Sequence, residues 1–169
     1  MNHLSADEII RLLKLRPHPA EGGYFAETYR SAESIVAGAL PARYGQNRRH
    51  GTAIYYLLKP GTFSALHRLK SDEIFHFYLG DPVQMLQLHP DGTGTTLTLG
   101  SAIETGERPQ VLVPRGIWQG SHLLPGGELA LLGCTVAPGF DYADYEHGDR
   151  ATLISGYPAY RELIEQLTA

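Results

Sequence analysis

Residues 61–80 read GTFSALHRLKSDEIFHFYLG, and this segment decides the fold. It contains two short runs of β-type residues, Phe63 to Leu69 and Glu73 to Leu79, which are separated by polar residues and bounded by glycines. Such spacing is typical of successive strands in an antiparallel β protein. The first run carries His67 and the second begins with Glu73, and we expect this imidazole and this carboxylate to converge within one enclosed cavity.

The rest of the chain repeats the same pattern. Short β-type runs alternate with Gly and Pro turns, and no helical pattern lies between them, which favours a sandwich or barrel and excludes alternating strands and helices. Ser5 and Glu8 form a capping box that predicts a helix from about Ala6 to Leu15, and Pro158 opens a final helix. Besides the two runs above, the predicted strands are Tyr24 to Arg30, Thr52 to Leu58, Val83 to His89, Thr95 to Leu99, Gln110 to Val113, Trp118 to Leu124 and Leu129 to Val136.

Length and composition predict a single domain. The chain has 169 residues, of which 43% are apolar and 19% charged. These values are ordinary for one globular unit. We divide it into an N-terminal helix and linker (1–20), a barrel (21–140) and a lid-like segment with a C-terminal helix (141–169). Cys134 lies in an apolar run and is expected to be a buried, reduced thiol.

Charge and hydropathy exclude several partners. The net charge is −4 and no broad basic face is evident, so no nucleic-acid partner is expected. No apolar run reaches spanning length, so no membrane partner is expected either. The N-terminus has acids where a signal peptide needs basic residues, and we therefore expect a cytoplasmic protein.

Motif spacing gives the chain a family resemblance. Gly61, His67, Glu73 and Gly80 match the first cupin motif, which runs glycine, five residues, His-x-His, three or four residues, glutamate, six residues, glycine. The second motif, proline-x-glycine-x-x-histidine, is present as residues 114–119 with Gln119 in place of its histidine. The chain thus resembles the cupin superfamily. Residues 22–30, 71–81 and 135–142 look like its fifth family, whose activity is not established.

The resemblance implies an all-β, cupin-type double-stranded jelly-roll barrel with short N- and C-terminal helices. Similar folds occur in germin-like storage proteins and in deoxysugar-nucleotide epimerases, and the resemblance implies a homodimer. An open sheet edge, which a second copy would cover, points to the same assembly.

The departures from the motifs bear on cofactors. In metal-loaded cupins, two histidines and the glutamate of the first motif join the histidine of the second around one divalent ion. Here Leu69 and Gln119 replace two of these four ligands. His67, Glu73 and Gln119 remain as a weak metal site, and tight zinc or iron binding is not expected.

Other residues extend the candidate small-molecule site. Ser121 has the parity of Gln119 and is expected on the same wall. His76 has the opposite parity to Glu73 and joins the pocket only if a bulge shifts the register. Arg30 is a candidate for holding a phosphate or carboxylate. Asp144 lies in an acidic, aromatic stretch that either closes the barrel mouth or is a solvated connection.

Two classes of function fit these residues, because a fold alone does not specify an activity. In the first, His67 and Glu73 transfer protons, with Tyr24 or Tyr29 as the opposite proton carrier, in an epimerase-like or isomerase-like reaction on a sugar or sugar nucleotide. In the second, His67 and Glu73 form a satisfied buried pair in a non-catalytic metabolite-binding or storage module. A weakly metal-dependent cupin enzyme, such as a dioxygenase, is a third alternative.

Overall fold

The computed structural model describes residues 4–168, and strands dominate it. The strands are β1 (Arg16–Pro17), β2 (Tyr24–Arg30), β3 (Ser34–Ile35), β4 (Arg48–Arg49), β5 (Thr52–Leu58), β6 (Phe63–Arg68), β7 (Asp72–Gly80), β8 (Val83–Leu88), β9 (Gly94–Leu99), β10 (Gln110–Val113), β11 (Trp118–Leu123), β12 (Ala130–Ala137) and β13 (Glu146–His147). The helices are α1 (Ala6–Leu12), α2 (Arg150–Gly156) and α3 (Arg161–Gln166).

The strands form two large antiparallel sheets and one small one. The first sheet has the order β1-β2-β5-β12-β7-β10 and the second β13-β6-β11-β8-β9, while β3 and β4 pair separately. Consecutive strands β6 and β7 belong to different sheets, as do β11 and β12. The chain therefore crosses repeatedly between the two layers, which is the connectivity of a jelly roll. The all-β jelly-roll prediction is confirmed.

The main core lies between the two sheets. Tyr56 and Phe75 come from the first sheet and Val83 and Met85 from the second, and all four are at most 1% exposed. The outer face of the second sheet is covered by the C-terminal helices, because Leu66 packs in one cluster with Leu153, Ile164 and Leu167. The outer face of the first sheet receives α1 through Ile9.

Both terminal helices are shorter than the sequence predicted. The Ser5 and Glu8 capping box is present, but α1 ends at Leu12, and Lys14 has a positive φ of 55° that is incompatible with a continuing helix. The lid-like segment before Pro158, where no helix was predicted, contains α2. Asp149 caps this helix by accepting the Thr152 N–H at 2.8 Å. Within residues 4–168, no helix combines the length and apolar character needed to cross a membrane.

Two β-bulges determine which side chains face the interior. Between β6 and β11, Gln119 pairs with His67 but Ser121 pairs with Ser64, so β6 contains one extra residue. This extra residue allows both Ser64 and His67 to point inward. A second bulge in β2 similarly directs both Glu27 and Arg30 to the interior side.

The two glycines of the first motif have a conformational role. Gly61 and Gly80 adopt φ values of 80° and 103°, which side-chain-bearing residues rarely adopt. Both stand at turns that end strands of the barrel, so the motif spacing marks where the chain reverses direction.

Candidate functional site

His67 lies at the centre of a buried polar cluster. The residue is fully buried, and its Nδ1 is 2.7 Å from the carbonyl oxygen of Ala65. Since a carbonyl only accepts, Nδ1 carries the proton. The other ring nitrogen, Nε2, therefore accepts from the Gln119 amide nitrogen at 2.8 Å. The backbone thus selects one tautomer of this imidazole.

Gln119 joins His67 to Glu73. Its Nε2 also donates to Glu73 Oε2 at 3.1 Å, so both amide hydrogens are engaged. Its Oε1 is buried and has no hydrogen-bond partner among the described residues. The register of β11 against β6, which places Gln119 opposite His67, fixes this bridge.

Glu21 is a member of the cluster that the sequence reasoning missed. Its Oε1 lies 3.7 Å from His67 Nε2, while Glu73 Oε2 lies 4.0 Å from the same nitrogen. Glu21 Oε2 accepts from the Ser64 hydroxyl at 3.3 Å, and the Glu21 carbonyl accepts from the Ala65 N–H at 2.8 Å. Both bonds tie Glu21, at the start of the predicted barrel region (21–140), to β6, so the chain that leads from α1 into the barrel closes over the site.

His18 was also missed, and it belongs to the same segment. Its Nδ1 accepts the backbone N–H groups of Glu21 at 2.9 Å and Ala20 at 3.3 Å, so Nε2 carries the hydrogen in the neutral ring. That Nε2 lies 3.5 Å from Glu21 Oε1. Burial lowers the pKa of His18, although the Glu21 carboxylate opposes the shift. His18 is therefore a neutral hydrogen-bond donor at neutral pH.

A cavity of about 240 Å³ opens beside this cluster. Its inner wall includes His18, Glu21 and Glu73, whereas His67 and Gln119 lie behind Glu73 and do not form part of the wall. Apart from the buried Thr52, the remaining lining residues are either apolar or exposed at the rim: Arg16, Phe25, Glu27, Arg30, Ile54, Cys134, Val136, Phe140 and Tyr142.

Burial dominates the electrostatics of this wall. The pKa of Glu73 is raised well above its ordinary value, first by burial and then by the neighbouring Glu21 carboxylate, while the bonds from Gln119 and Cys134 oppose the shift. Burial likewise raises the pKa of the Cys134 thiol, which is free and buried as expected. A neutral thiol is a poor nucleophile.

The segment after β12 covers His67 from the other side. The Tyr145 ring stacks on the His67 ring, with centroids 5.0 Å apart and planes at 22°. The strand β13 pairs with β6 next to it, opposite Arg68 and His67. Burial raises the pKa of Tyr145, so its phenol stays neutral. Of the two alternatives for this stretch, the structure favours a covering segment.

Comparison with known proteins identifies the family. A family model described as "Cupin superfamily (DUF985)" matches residues 7–148. The chain belongs to the cupin superfamily. It is 33% identical to the uncharacterized protein YML079W of Saccharomyces cerevisiae over 168 residues, which cover 95% of this chain and 80% of the yeast protein.

Several solved structures share the fold of this chain. The protein SO0799 of Shewanella oneidensis is 34% identical, with a TM-score of 0.87 over 99% of both chains. A hypothetical protein from Leishmania major is also 34% identical, with a TM-score of 0.87 over 98% of this chain and 99% of the other. The oxalate decarboxylase of Bacillus subtilis is 16% identical, with a TM-score of 0.54 over 92% of this chain and 37% of that chain, and this likeness shows the fold alone.

The metal site that many cupins carry does not fit these residues. Leu69 offers no ligand atom, and the Gln119 amide turns its hydrogens toward His67 Nε2 and Glu73 Oε2, the two atoms that would share a metal. In this orientation the amide presents donors to a cation, and it would have to rotate and present Oε1 before it could act as a ligand. Within residues 4–168, no group of three or more His, Cys, Asp or Glu side chains is arranged to hold a metal ion.

The structure brings together some of the residues that were predicted to line the site and separates others. His67, Glu73 and Gln119 come together as described. Ser121 is buried opposite Met85, and its hydroxyl has no partner among the described residues, but it does not line the cavity. Arg30 reaches the rim, where Glu27 holds it at 2.7 Å.

Four further predicted site residues lie outside both the cavity and the buried cluster. On each side of its bulge, β2 alternates its side chains between the two faces of the sheet, and both tyrosines lie on the outward face. Tyr24 packs with the residues that contact α1, and Tyr29 is 54% exposed. His76 also points outward, since β7 is regular from Glu73 to Phe77, and its Nε2 bonds to Thr135 Oγ1 at 2.9 Å.

Asp144 is the fourth, and it forms a buried ion pair with Arg48. Both of its oxygens accept from Arg48, each at 2.6 Å, and both side chains are at most 3% exposed. A buried guanidinium requires such a partner. The carboxylate therefore anchors the covering segment to β4 and does not face the cavity.

Proposed function

We propose that this cupin is an acid–base enzyme that carries out an isomerase-type proton transfer on a small, sugar-sized carbonyl compound. The observation that supports the proposal is the approach of two carboxylates to a single imidazole nitrogen beside a cavity. Glu21 Oε1 and Glu73 Oε2 lie 3.7 and 4.0 Å from His67 Nε2. Titratable groups that alter each other's proton affinity in a cleft are typical of acid–base catalysis.

The two carboxylates are suited to different roles. A buried carboxylate and a half-buried neighbouring one cannot both ionise without a large cost, so the pair retains a proton. The raised pKa of Glu73 makes it the group that holds this proton and donates it. Glu21 then acts as the base, and His67 with Gln119 fixes the position of Glu73. His18 contributes a neutral N–H that suits a carbonyl or enolate oxygen.

The placement favours isomerisation over epimerisation. Because both carboxylates approach the same nitrogen, they reach a ligand from one side. Removal and return of a proton on one side moves it between adjacent carbons, whereas inversion needs an acid on the opposite side. Tyr24 and Tyr29, the predicted opposite proton carriers, lie outside the cavity.

The cavity volume favours a small ligand. Drug-sized ligands occupy pockets of about 300–1,000 Å³. At about 240 Å³, the cavity suits a molecule of monosaccharide size better than an entire sugar nucleotide. Arg16 stands at the rim with no carboxylate within 4.0 Å among residues 4–168, and is available to an acidic substituent.

Incorporation of solvent deuterium tests this proposal. The protein is incubated in D₂O with a panel of aldoses, ketoses and hydroxy-ketones, and proton NMR follows the loss of signal at the carbon next to the carbonyl. We expect exchange with at least one compound, and a loss of about 10²-fold or more in Glu21→Gln and Glu73→Gln. The control is Glu104→Gln, an exposed carboxylate in a short 3₁₀ turn.

The alternative, a metabolite-binding module without turnover, predicts a different result. A panel compound would then bind, as seen by ligand-observed NMR, without exchange in any variant. The substitution His67→Ala separates the two functions further. Loss of exchange with retained affinity supports catalysis, whereas binding without exchange in the wild-type protein contradicts the proposed function.

A further inference from the structure

A second cleft lies beside the covering segment, whose residues 143–146 form part of its lining. It has a volume of about 480 Å³ and shares no lining residue with the cavity. Four basic side chains from three parts of the chain line it, together with Asp144, Tyr145 and Glu146: Arg43, Arg68, Lys70 and Arg115. In a chain with a net charge of −4, such a concentration of cations is a distinct feature.

The two acidic residues of the cleft are already neutralised. Glu146 accepts from Arg68 Nε and an Arg68 terminal nitrogen at 2.8 and 2.9 Å. Asp144 uses both oxygens for Arg48, a residue outside the cleft lining, and lies 3.8 Å from Lys70. Most of the negative charge that lines the cleft is therefore committed to other partners.

Three cations remain to attract a ligand. Among residues 4–168, no carboxylate lies within 4.0 Å of the side-chain nitrogens of Arg43 or Arg115, and Lys70 has only the carboxylate that Arg48 already holds. Uncompensated like charges in one concave site raise the local concentration of anions. The cleft is therefore complementary to a ligand with more than one negative charge.

The Arg43 side chain and the Arg115 backbone are held in place by neighbouring groups. Arg43 Nε donates to the Lys70 carbonyl at 3.0 Å, and its guanidinium lies over the Tyr44 ring at 4.7 Å. The Arg115 N–H donates to Asp72 Oδ1 at 2.8 Å, so the side chain is left for a ligand. Fixed attachment points lower the entropy cost of holding a bound anion.

We propose that this cleft binds the phosphate group of a small phosphorylated metabolite. A phosphate dianion matches three cations better than a carboxylate does, and guanidinium groups bind its oxygens in pairs. Nucleic acid would need a broad basic face, whereas these cations surround a single cleft. The site is independent of the proton-transfer cluster, from which Tyr145 separates it.

Titration of the wild-type protein with inorganic phosphate and then pyrophosphate, at constant ionic strength, tests the proposal. Amide shifts in a ¹⁵N NMR spectrum should saturate with one-to-one stoichiometry. They should be concentrated at Lys70, Arg115, Gly116 and residues 143–146, with tighter binding of pyrophosphate. Potassium chloride at equal ionic strength should not reproduce them.

Matched variants test the role of the side chains. Lys70→Gln/Arg115→Gln should weaken pyrophosphate binding at least about tenfold. The control Arg11→Gln/Lys14→Gln removes the same charge from exposed positions near α1 and should bind as the wild type does. Absence of saturation, shifts located elsewhere, or an equal loss in both variants would overturn the proposal. The wild-type shift map decides the question even if the double variant does not fold.

Discussion

The substitution Glu73→Gln tests the electrostatics of the cluster directly. Glutamine has nearly the shape of glutamate, and its side-chain oxygen can still accept the Gln119 hydrogen that Glu73 Oε2 accepts at 3.1 Å. The variant removes only the titration of a buried carboxyl. We therefore expect a folded protein whose stability depends on pH differently from that of the wild type.

The sign follows from the direction of the pKa shift. In the folded protein the pKa of Glu73 is raised well above 4.5, so the folded state keeps a proton that the unfolded state has released. The free energy of unfolding of the wild type therefore falls as the pH rises from about 4.5 until the folded carboxyl also ionises. One proton contributes a slope of at most about 1.4 kcal/mol per pH unit. For a chain of this length, that equals a shift in Tm of about 3–6 °C per pH unit.

Thermal melts at several pH values between about 5 and 8 measure this slope. The wild type should lose stability with rising pH relative to Glu73→Gln, so that the variant is the more stable protein near neutral pH and the two converge toward pH 4.5. The exposed Glu104→Gln provides the reference for ordinary surface titration. Parallel curves for the wild type and Glu73→Gln, or a less stable variant at neutral pH, would show that the burial argument is wrong.

Three further predictions concern other parts of the structure. Asp144→Ala leaves the Arg48 guanidinium buried without its partner and should lower the free energy of unfolding by about 3–5 kcal/mol in urea denaturation. The double variant Arg48→Met/Asp144→Leu should recover most of that loss, and equal losses in both variants would contradict the prediction. Gln119→His exchanges the amide for an imidazole next to His67 and Glu73, and it should raise the affinity for Zn²⁺ or Mn²⁺ above that of the wild type in calorimetric titration. An unchanged affinity would show that the amide is not what opposes metal binding. The predicted homodimer should give a light-scattering mass of twice 18.6 kDa, and a mass of one chain would refute it.

Motif spacing predicted that His67 and Glu73 lie close together, and the structure brings Gln119 to them. His67, Glu73 and Gln119 occupy motif positions, and they meet because the jelly roll brings β6, β7 and β11 around one interior. The alternation of side chains between the two faces of a strand predicted their directions wherever the strand is regular. The bulge in β7 lies beyond Phe77, so His76 keeps the outward direction that alternation gives it.

The wall of the cavity could not be predicted in the same way. Glu21 and His18 lie in a segment without periodicity, and their positions depend on long-range bonds to β6, such as the Ala65 N–H to the Glu21 carbonyl. The available signal was Gly22. Its φ of 88° and its close approach to the Phe63 carbonyl leave no room for a side chain, which marks a backbone pressed against the barrel. Asp144 could not be assigned to Arg48 because the two lie 96 positions apart in the sequence.

The amide of Gln119 links the hydrogen bonds of its two partners. In the present arrangement it donates to both His67 Nε2 and Glu73 Oε2, which requires an unprotonated nitrogen and an accepting oxygen. If His67 takes up a proton at Nε2, the amide must rotate and present Oε1, which is now without a partner among the described residues. The rotated amide then offers an acceptor to Glu73 as well, and this bond forms only when Glu73 carries its proton on that oxygen. A single rotation of this amide therefore changes the hydrogen bonds of both groups at once, so a glutamine at this position links the imidazole and the carboxyl through one side chain.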